Sequence, residues 1–298
     1  MNIFLNQTKK LILSKQGSIF SSAILIAGMI VFSRLFGFLR FRILATYFSK
    51  EQLDIFFASF RIPDLVFELL ITGSLSSAFI PLIIKYQKDK NKFNFNISSI
   101  INLVLLTMFL LIFILIILSD KIIPLVTLGY SQEKINQIVF FSKILLIGQL
   151  PLLIAGNLLI GLAQAYKFFI LTSFAPILYN IFIILCTIFL ASNFQLLAPI
   201  IGVLLGAFFF FFSQFPVLFR IEFKYLPVLQ INNAVKDFIK VIIPRLLTVL
   251  TAQIDATIDL TLTTFLGSGS YTIFYFAQHL QLLPVSVIGM AFGQASLP

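Results

Sequence analysis

The sequence predicts an all-α polytopic membrane protein. Hydrophobic residues make up 59% of the 298 residues and charged residues only 11%, with a mean hydropathy of +1.05. A soluble chain of this length needs far more polar surface to cover its core. Several apolar stretches reach the roughly 20 residues that cross a bilayer as a helix. Those stretches are continuous rather than alternating, which favours helices over a closed barrel as the way to satisfy the backbone in lipid.

Eight spans follow along the chain, at about 18–48, 52–86, 94–119, 134–164, 168–191, 196–219, 233–266 and 270–296. The first begins near Ser18, is too long for the apolar region of a signal peptide, and carries arginines, so no cleavable signal is expected. Spans one and two run about 46 Å or more, so they must tilt, kink or project beyond the hydrocarbon. Span two has its own weak points, Pro63 and then Gly73 with Pro81, since proline removes a backbone hydrogen bond. Spans three, five and six hold essentially no ionisable residue and are expected to face lipid or serve structure. Span seven holds Arg245, Asp255 and Asp259, and span eight holds His279.

The connecting segments sort by charge. The N-terminus (Lys9, Lys10, Lys15) and the second loop (Lys85, Lys88, Asp89, Lys90, Lys92) each sum to +3, the fourth loop carries Lys167, and the sixth sums to +2. In the first and third loops the charges cancel, and the fifth and seventh carry none. Positive segments stay cytoplasmic, so the N-terminus and even-numbered loops are expected inside. The net charge of +10 is thereby explained as topology, and no nucleic-acid partner is expected. One cysteine, Cys186, and one histidine, His279, exclude an internal disulfide, a thiolate cluster and a multi-histidine metal site.

An ionisable side chain inside a span is costly and marks function by default. Arg34, Arg40 and Arg42 lie in span one, and Asp54, Arg61, Asp64 and Glu68 in span two. Spans one, two, seven and eight therefore read as the walls of a polar cavity. Arg34 lies about 24 Å along its helix, too deep to reach either surface. Arg40 and Arg42 lie nearer the outer end, where a long side chain can snorkel to the headgroups. For Arg40 both explanations stand; Arg42 is expected at the interface. Asp54, Arg61 and Glu68 recur every seven residues and so share one face. Asp255 and Asp259, one turn apart, require a nearby cation or a network of hydrogen bonds between helices. The cation could be Arg245, a partner helix, sodium or a proton.

Arginine grips phosphate with a planar fork. Several such groups in a membrane cavity suit an amphipathic phosphate, with its charged head in the cavity and its tail in the bilayer. Enzymatic signatures are missing: there is no P-loop, HExxH, GxSxG or Asp-rich metal cluster in the sequence. A transporter rather than an enzyme is expected, with no cofactor.

The segments FSRLFGFLRFRILATYF (32–48), DIFFASFRIPDLVF (54–67), GSLSSAFIPLI (73–83), APILYN (175–180), GVLLGAFFFFFSQFPVL (202–218) and FYFAQHLQLLPVSVIGMAFGQASLP (274–298) resemble, in order and spacing, the MurJ/MviN family of lipid II flippases. These belong to the multidrug/oligosaccharidyl-lipid/polysaccharide exporter superfamily. The resemblance implies a fourteen-helix, two-lobed fold with cytoplasmic termini in the bacterial cytoplasmic membrane. Residues 1–225 would form the first lobe and 226–298 the first two helices of the second. The chain is then expected to be part of a longer gene product, or to act with a second polypeptide. The implied activity is translocation of lipid II, the undecaprenyl-pyrophosphate-linked peptidoglycan precursor, by alternating access. Coupling to sodium, protons or membrane potential is possible within the family. Arg34 and Arg40 fall on its two first-helix arginines, Asp54 on its acidic residue at the start of the second helix, and Asp259 on a seventh-helix sodium ligand of some members. Substrate binding is thus assigned to Arg34, Arg40, Asp54, Arg61 and His279, and ion binding to Asp255 and Asp259. Three departures make the cavity less cationic: Phe67 and Glu68 replace a pair of arginines, Thr72 an acidic residue, and His279 an eighth-helix arginine. They keep open a transporter of the same superfamily for another polyprenyl-linked glycan or a drug-like solute.

Overall fold

A computed structural model describes residues 19–72, 78–87, 90–221 and 223–284. The N-terminal lysines, the weak point at Gly73, the loop charges Lys88, Asp89 and Glu222, and the motif beyond Pro284 lie outside them. The described residues are helical apart from short turns and an irregular stretch at 223–232. Five helices among them are long and apolar enough to cross a membrane: Lys92–Val126, Gln132–Ala165, Leu171–Phe194, Leu197–Ile221 and Asn233–Phe265.

The first helix, α1, spans Ile19–Tyr47 and packs mainly against α8, Phe169–Phe194. The second span is broken into α2 (Lys50–Ser59), α3 (Arg61–Phe67), a π-helical turn (Glu68–Thr72) and α4 (Ile80–Tyr86). A capping box opens it: Ser49 Oγ accepts from Gln52 N–H while Gln52 Oε1 accepts from Ser49 N–H. Pro63 has no N–H for the carbonyl of Ser59, four residues back. That buried carbonyl instead accepts from the Ser142 hydroxyl at 2.8 Å. A neighbouring helix thus makes the break tolerable in lipid.

The third element, α5, runs Lys90–Val126, about 56 Å, and starts earlier than the expected 94. Its first turns carry a ladder of short polar residues, and the ladder holds the irregular stretch 223–232. Asn102 Nδ2 donates to the Leu226 and Val228 carbonyls, Ser98 Oγ accepts from Leu226 N–H, and Asn94 Oδ1 accepts from Lys224 N–H. Farther along, Phe109, Phe113 and Ile117 are exposed at helical spacing, an apolar stripe suited to lipid.

Next come α6 (Gln132–Gly148) and α7 (Leu150–Ala165), joined at Gln149. Then α8 and α9 (Leu197–Phe212) pack closely, because Gly202 and Gly206 let the backbones meet. A Cβ on Gly206 would lie 2.8 Å from the Tyr179 carbonyl oxygen. The short α10 (Phe215–Ile221) precedes α11 (Asn233–Phe265), whose Asn232 cap accepts from Val235 N–H. The last described helix is α12, Ser270–Pro284, and it packs against α2.

Contacts between segments sort the loops into two ends. Lys85 pairs with Asp237, and the 223–232 stretch lies along the start of α5, which gathers loops two and six. Lys134 bonds Ser268, Gly129 N–H bonds Thr264, and Gly269 N–H reaches Asp54, which gathers loops one, three and seven at the other end. Loops two and six thus meet at one end, and loops one, three and seven at the other.

Candidate functional site: a central arginine-bearing cavity

A cavity of about 800 Å³ opens between α1, α2, α3, α7 and α8 on one side and α11 and α12 on the other. Arg34 and Arg40 of α1, Arg61 and Asp64 of α3, Glu68 of the π-helical turn and His279 of α12 all line it. Three arginines against two carboxylates leave a formal charge of +1 with the histidine neutral. The ion pairs among the described residues, Lys85–Asp237 and Lys143–Asp120, lie elsewhere. π-Helical turns occur often at functional sites, because the extra residue shifts the side chains around it.

The arginines are not equivalent. Arg40 sits over the Phe41 ring, 4.8 Å from its centroid, and its Nε is buried without a hydrogen-bond partner. Arg34 makes no hydrogen bond or ion pair among the described residues. Arg61 is occupied: Nε donates to Thr257 Oγ1 at 3.0 Å, and Nη2 donates to the Gln253 carbonyl at 2.8 Å and to Gln253 Oε1 at 2.6 Å. The fork edge that elsewhere grips phosphate here ties α3 to α11. Arg42 is exposed and stands outside the cavity.

His279 Nδ1 donates to the Tyr275 carbonyl at 2.8 Å. This fixes the proton on Nδ1 and leaves Nε2 for other partners. The ring is part of an aromatic cluster that joins α1, α2 and α12: Phe57 stacks on Tyr275 with centroids 4.4 Å apart, and Phe41 meets His279 at 5.2 Å.

Asp54 does not line the cavity. On an unbroken helix it would share a face with Arg61 and Glu68, about 10 Å from Arg61 along the axis, but the span is broken after Ser59. Fully buried, it accepts from Gly269 N–H at 2.6 Å, Thr272 N–H at 2.8 Å and Thr272 Oγ1–H at 2.8 Å. These are orphan donors at the start of α12, so a carboxylate from α2 caps a helix more than two hundred residues away. Gly269, at φ +87, presents its N–H in a conformation that favours glycine. The geometry makes Asp54 a latch at one end of the cavity rather than part of its wall. Asp255 is exposed and Asp259 half-buried; neither lines the cavity.

Span five, expected to be structural, forms a wall. Thr172, Ser173, Tyr179 and Asn180 of α8 face the cavity, beside Gln149, Asn157 and Gln164 of span four. Uncharged amides and hydroxyls barely dent the hydropathy of a long apolar run. Their spacing was the available signal: Gln149, Asn157 and Gln164 recur at eight and seven residues, a single helical stripe.

An all-helical membrane protein built around a polar cavity is the architecture of solute and lipid exporters, and solved structures agree. The chain is similar to an inward-facing multidrug MATE-family transporter of the MOP superfamily, with a TM-score of 0.68 at 17% identity, over 90% of this chain and 64% of that one. That likeness concerns the fold alone. A solved structure of a lipid II flippase MurJ in an inward closed conformation matches with a TM-score of 0.75 and 26% identity, over 88% of this chain and 55% of that one.

The sequence model of the lipid II flippase MurJ family matches residues 44–298, and the chain belongs to that family. A probable lipid II flippase MurJ from Buchnera aphidicola (subspecies Acyrthosiphon pisum) is 29% identical over 88% of this chain and 53% of its own length. A lipid II flippase MurJ from Burkholderia cenocepacia is 24% identical over 94% of this chain and 57% of its own. The chain thus spans about half the length of the curated relatives it matches.

Proposed function

We propose that this chain takes part in moving lipid II across the bacterial cytoplasmic membrane, and that its cavity holds the pyrophosphate. One observation carries the proposal. Arg34 and Arg40 line a cavity of about 800 Å³ without an ion pair among the described residues, and the buried Nε of Arg40 has no partner. A buried guanidinium donor without an acceptor is costly, and a phosphate oxygen satisfies it with good geometry. Family membership supports lipid II over other amphipathic phosphates.

The rest of the architecture is inferred from sequence together with fold. We read eight spans, with the cytoplasmic end at loops two, four and six, because those loops are basic. The lobe boundary near residue 225 falls in the irregular stretch held along α5. Asp255 and Asp259, one turn apart on α11, are the places to look for a coupling ion; sodium- or proton-dependent transport lost on Asp259→Asn would support that role.

The test is complementation of a bacterial strain depleted of its own flippase by the natural gene. Arg34→Ala or Arg40→Ala should abolish growth at normal expression, whereas Arg42→Ala should not. Full growth of the Arg40→Ala strain sinks the proposed role.

A further inference from the structure

The α7–α8 wall has a chemistry opposite to that of α1. Asn180 is buried, and its Nδ2 donates to the Pro176 carbonyl four residues back at 2.9 Å. Asn157 on α7 does the same to the Leu153 carbonyl at 2.8 Å. In both, a backbone carbonyl takes one N–H of the amide and fixes its orientation, which leaves the amide oxygen without a backbone partner. The assignment is forced, since a carbonyl can only accept. Gln149 is 4% exposed and donates its Nε2 to the Tyr179 hydroxyl at 3.0 Å. The Oε1 of Gln149 and the Oδ1 of Asn180 are both buried without a partner.

Buried acceptors without donors are expensive, and a cluster of them specifies what should fill it. A cation would be repelled by Arg34 and Arg40 across the cavity. A bare phosphate offers only acceptors and satisfies neither of the two buried oxygens. Hydroxyl and amide N–H groups fit. We propose that Asn180, Gln149 and Asn157 form an acceptor subsite that selects phosphate-linked lipids whose headgroup bears O–H or N–H donors, a glycan rather than a bare pyrophosphate. The subsite rests on the assignment of the phosphate to the α1 arginines. Together they make a two-ended grip: donors for the pyrophosphate on α1, acceptors for the sugar on α7 and α8.

The experiment compares two probes on the purified chain in lipid nanodiscs, undecaprenyl pyrophosphate and the same lipid bearing one N-acetylated hexose. The variants are Asn180→Leu and Gln149→Met, near-isosteric and lacking the acceptor oxygen. The unchanged protein should bind the glycan-bearing probe about tenfold more tightly, and either variant should lose most of that margin while binding the bare probe within about twofold of the original. Retained binding of the bare probe also shows that the variant is folded, and two variants on different helices guard against misfolding of one. Equal binding of the two probes by the unchanged protein overturns the acceptor subsite and leaves the phosphate site standing. So does equal weakening toward both probes in the two variants. Failure of the unchanged protein to bind either probe overturns the phosphate site and the subsite with it.

Discussion

Replacing Asp54 should uncouple α12 from α2, and the geometry gives an order of effects. Its Oδ1 accepts two bonds, from Thr272 N–H and Oγ1–H, and its Oδ2 accepts one, from Gly269 N–H. Hydrogen bonds to a charged group contribute about 1.5–3 kcal/mol each. The three share one carboxylate and are not additive. For Asp54→Ala, which also strands two backbone N–H groups, a working loss is about 4 kcal/mol. Asp54→Asn is different. Its oxygen can keep the two bonds to Thr272, but its NH₂ then faces the Gly269 N–H, so about 2 kcal/mol should be lost. Thr272→Val removes the hydroxyl whose single proton is shared between Asp54 Oδ1 and the Lys50 carbonyl, for about 1–2 kcal/mol. Thermal unfolding of the purified chain should rank the variants in that order, with Asp54→Ala roughly 5–10 °C below the original. Amide hydrogen exchange at Gly269 and Thr272 should rise with the loss of the cap. If Asp54→Asn and Asp54→Ala melt together, or exchange at these two amides is unchanged, the latch is not what holds this end.

Three more outcomes are expected. Ser142→Ala strands the Ser59 carbonyl and should cost about 1–3 kcal/mol; adding Pro63→Ala restores an N–H for that carbonyl and should recover part of the loss in the same melting assay. Arg61→Ala removes the three bonds to Gln253 and Thr257, so hydrogen exchange through residues 250–260 should rise, with little change in α8. Gly206→Val places a side chain 2.8 Å from the Tyr179 oxygen and should cost about 1–3 kcal/mol by overpacking. Gly28→Ala, where a Cβ meets nothing within 4 Å, is the control and should melt with the original.

Spans three to seven were legible because a run of apolar residues long enough to cross a bilayer has few other uses, and loops two and six, both basic, do meet at one end. The deep arginines stood out for the same reason, since charge in lipid needs an explanation. The neutral wall was hidden. Asn180 and Gln149 disturb a hydropathy window little, and their role depends on which amide atom the backbone has already taken. Asp54 was visible as an intramembrane acid, but the donors it serves lie past residue 268 and meet it only through the packing of α12 on α2. The Asn and Ser residues at the start of α5 fell inside the expected third span, where nothing in the sequence singled them out. They are a backbone-binding ladder for a segment far along the chain.

The polar links between α11–α12 and the rest of the described helices fall into three groups, and at the Asp54 end Lys134–Ser268, Gly129–Thr264 and Thr261–Val126 bonds stand beside the latch. Asp54 holds one end, Arg61 the middle, and Lys85–Asp237 the other end, where the two side chains are 59% and 34% exposed and so contribute about 0–1 kcal/mol. Moving a two-state equilibrium from 1:99 to 99:1 takes about 5.5 kcal/mol, which is of the order of the Asp54 and Arg61 contacts together. The position of Arg61 follows from this. Its fork edge can serve Gln253 and Thr257 or a phosphate, but not both at once. A ligand that drew Arg61 into the cavity would remove the middle link in the same step, so binding and loosening of the seam would be one event. Arg61→Lys separates the two roles. An ammonium can still attract phosphate, but it cannot reproduce the three-bond clamp. If the clamp is what couples them, that variant should bind the lipid pyrophosphate nearly as well as the original, and exchange at 250–260 should already be high before any ligand is added.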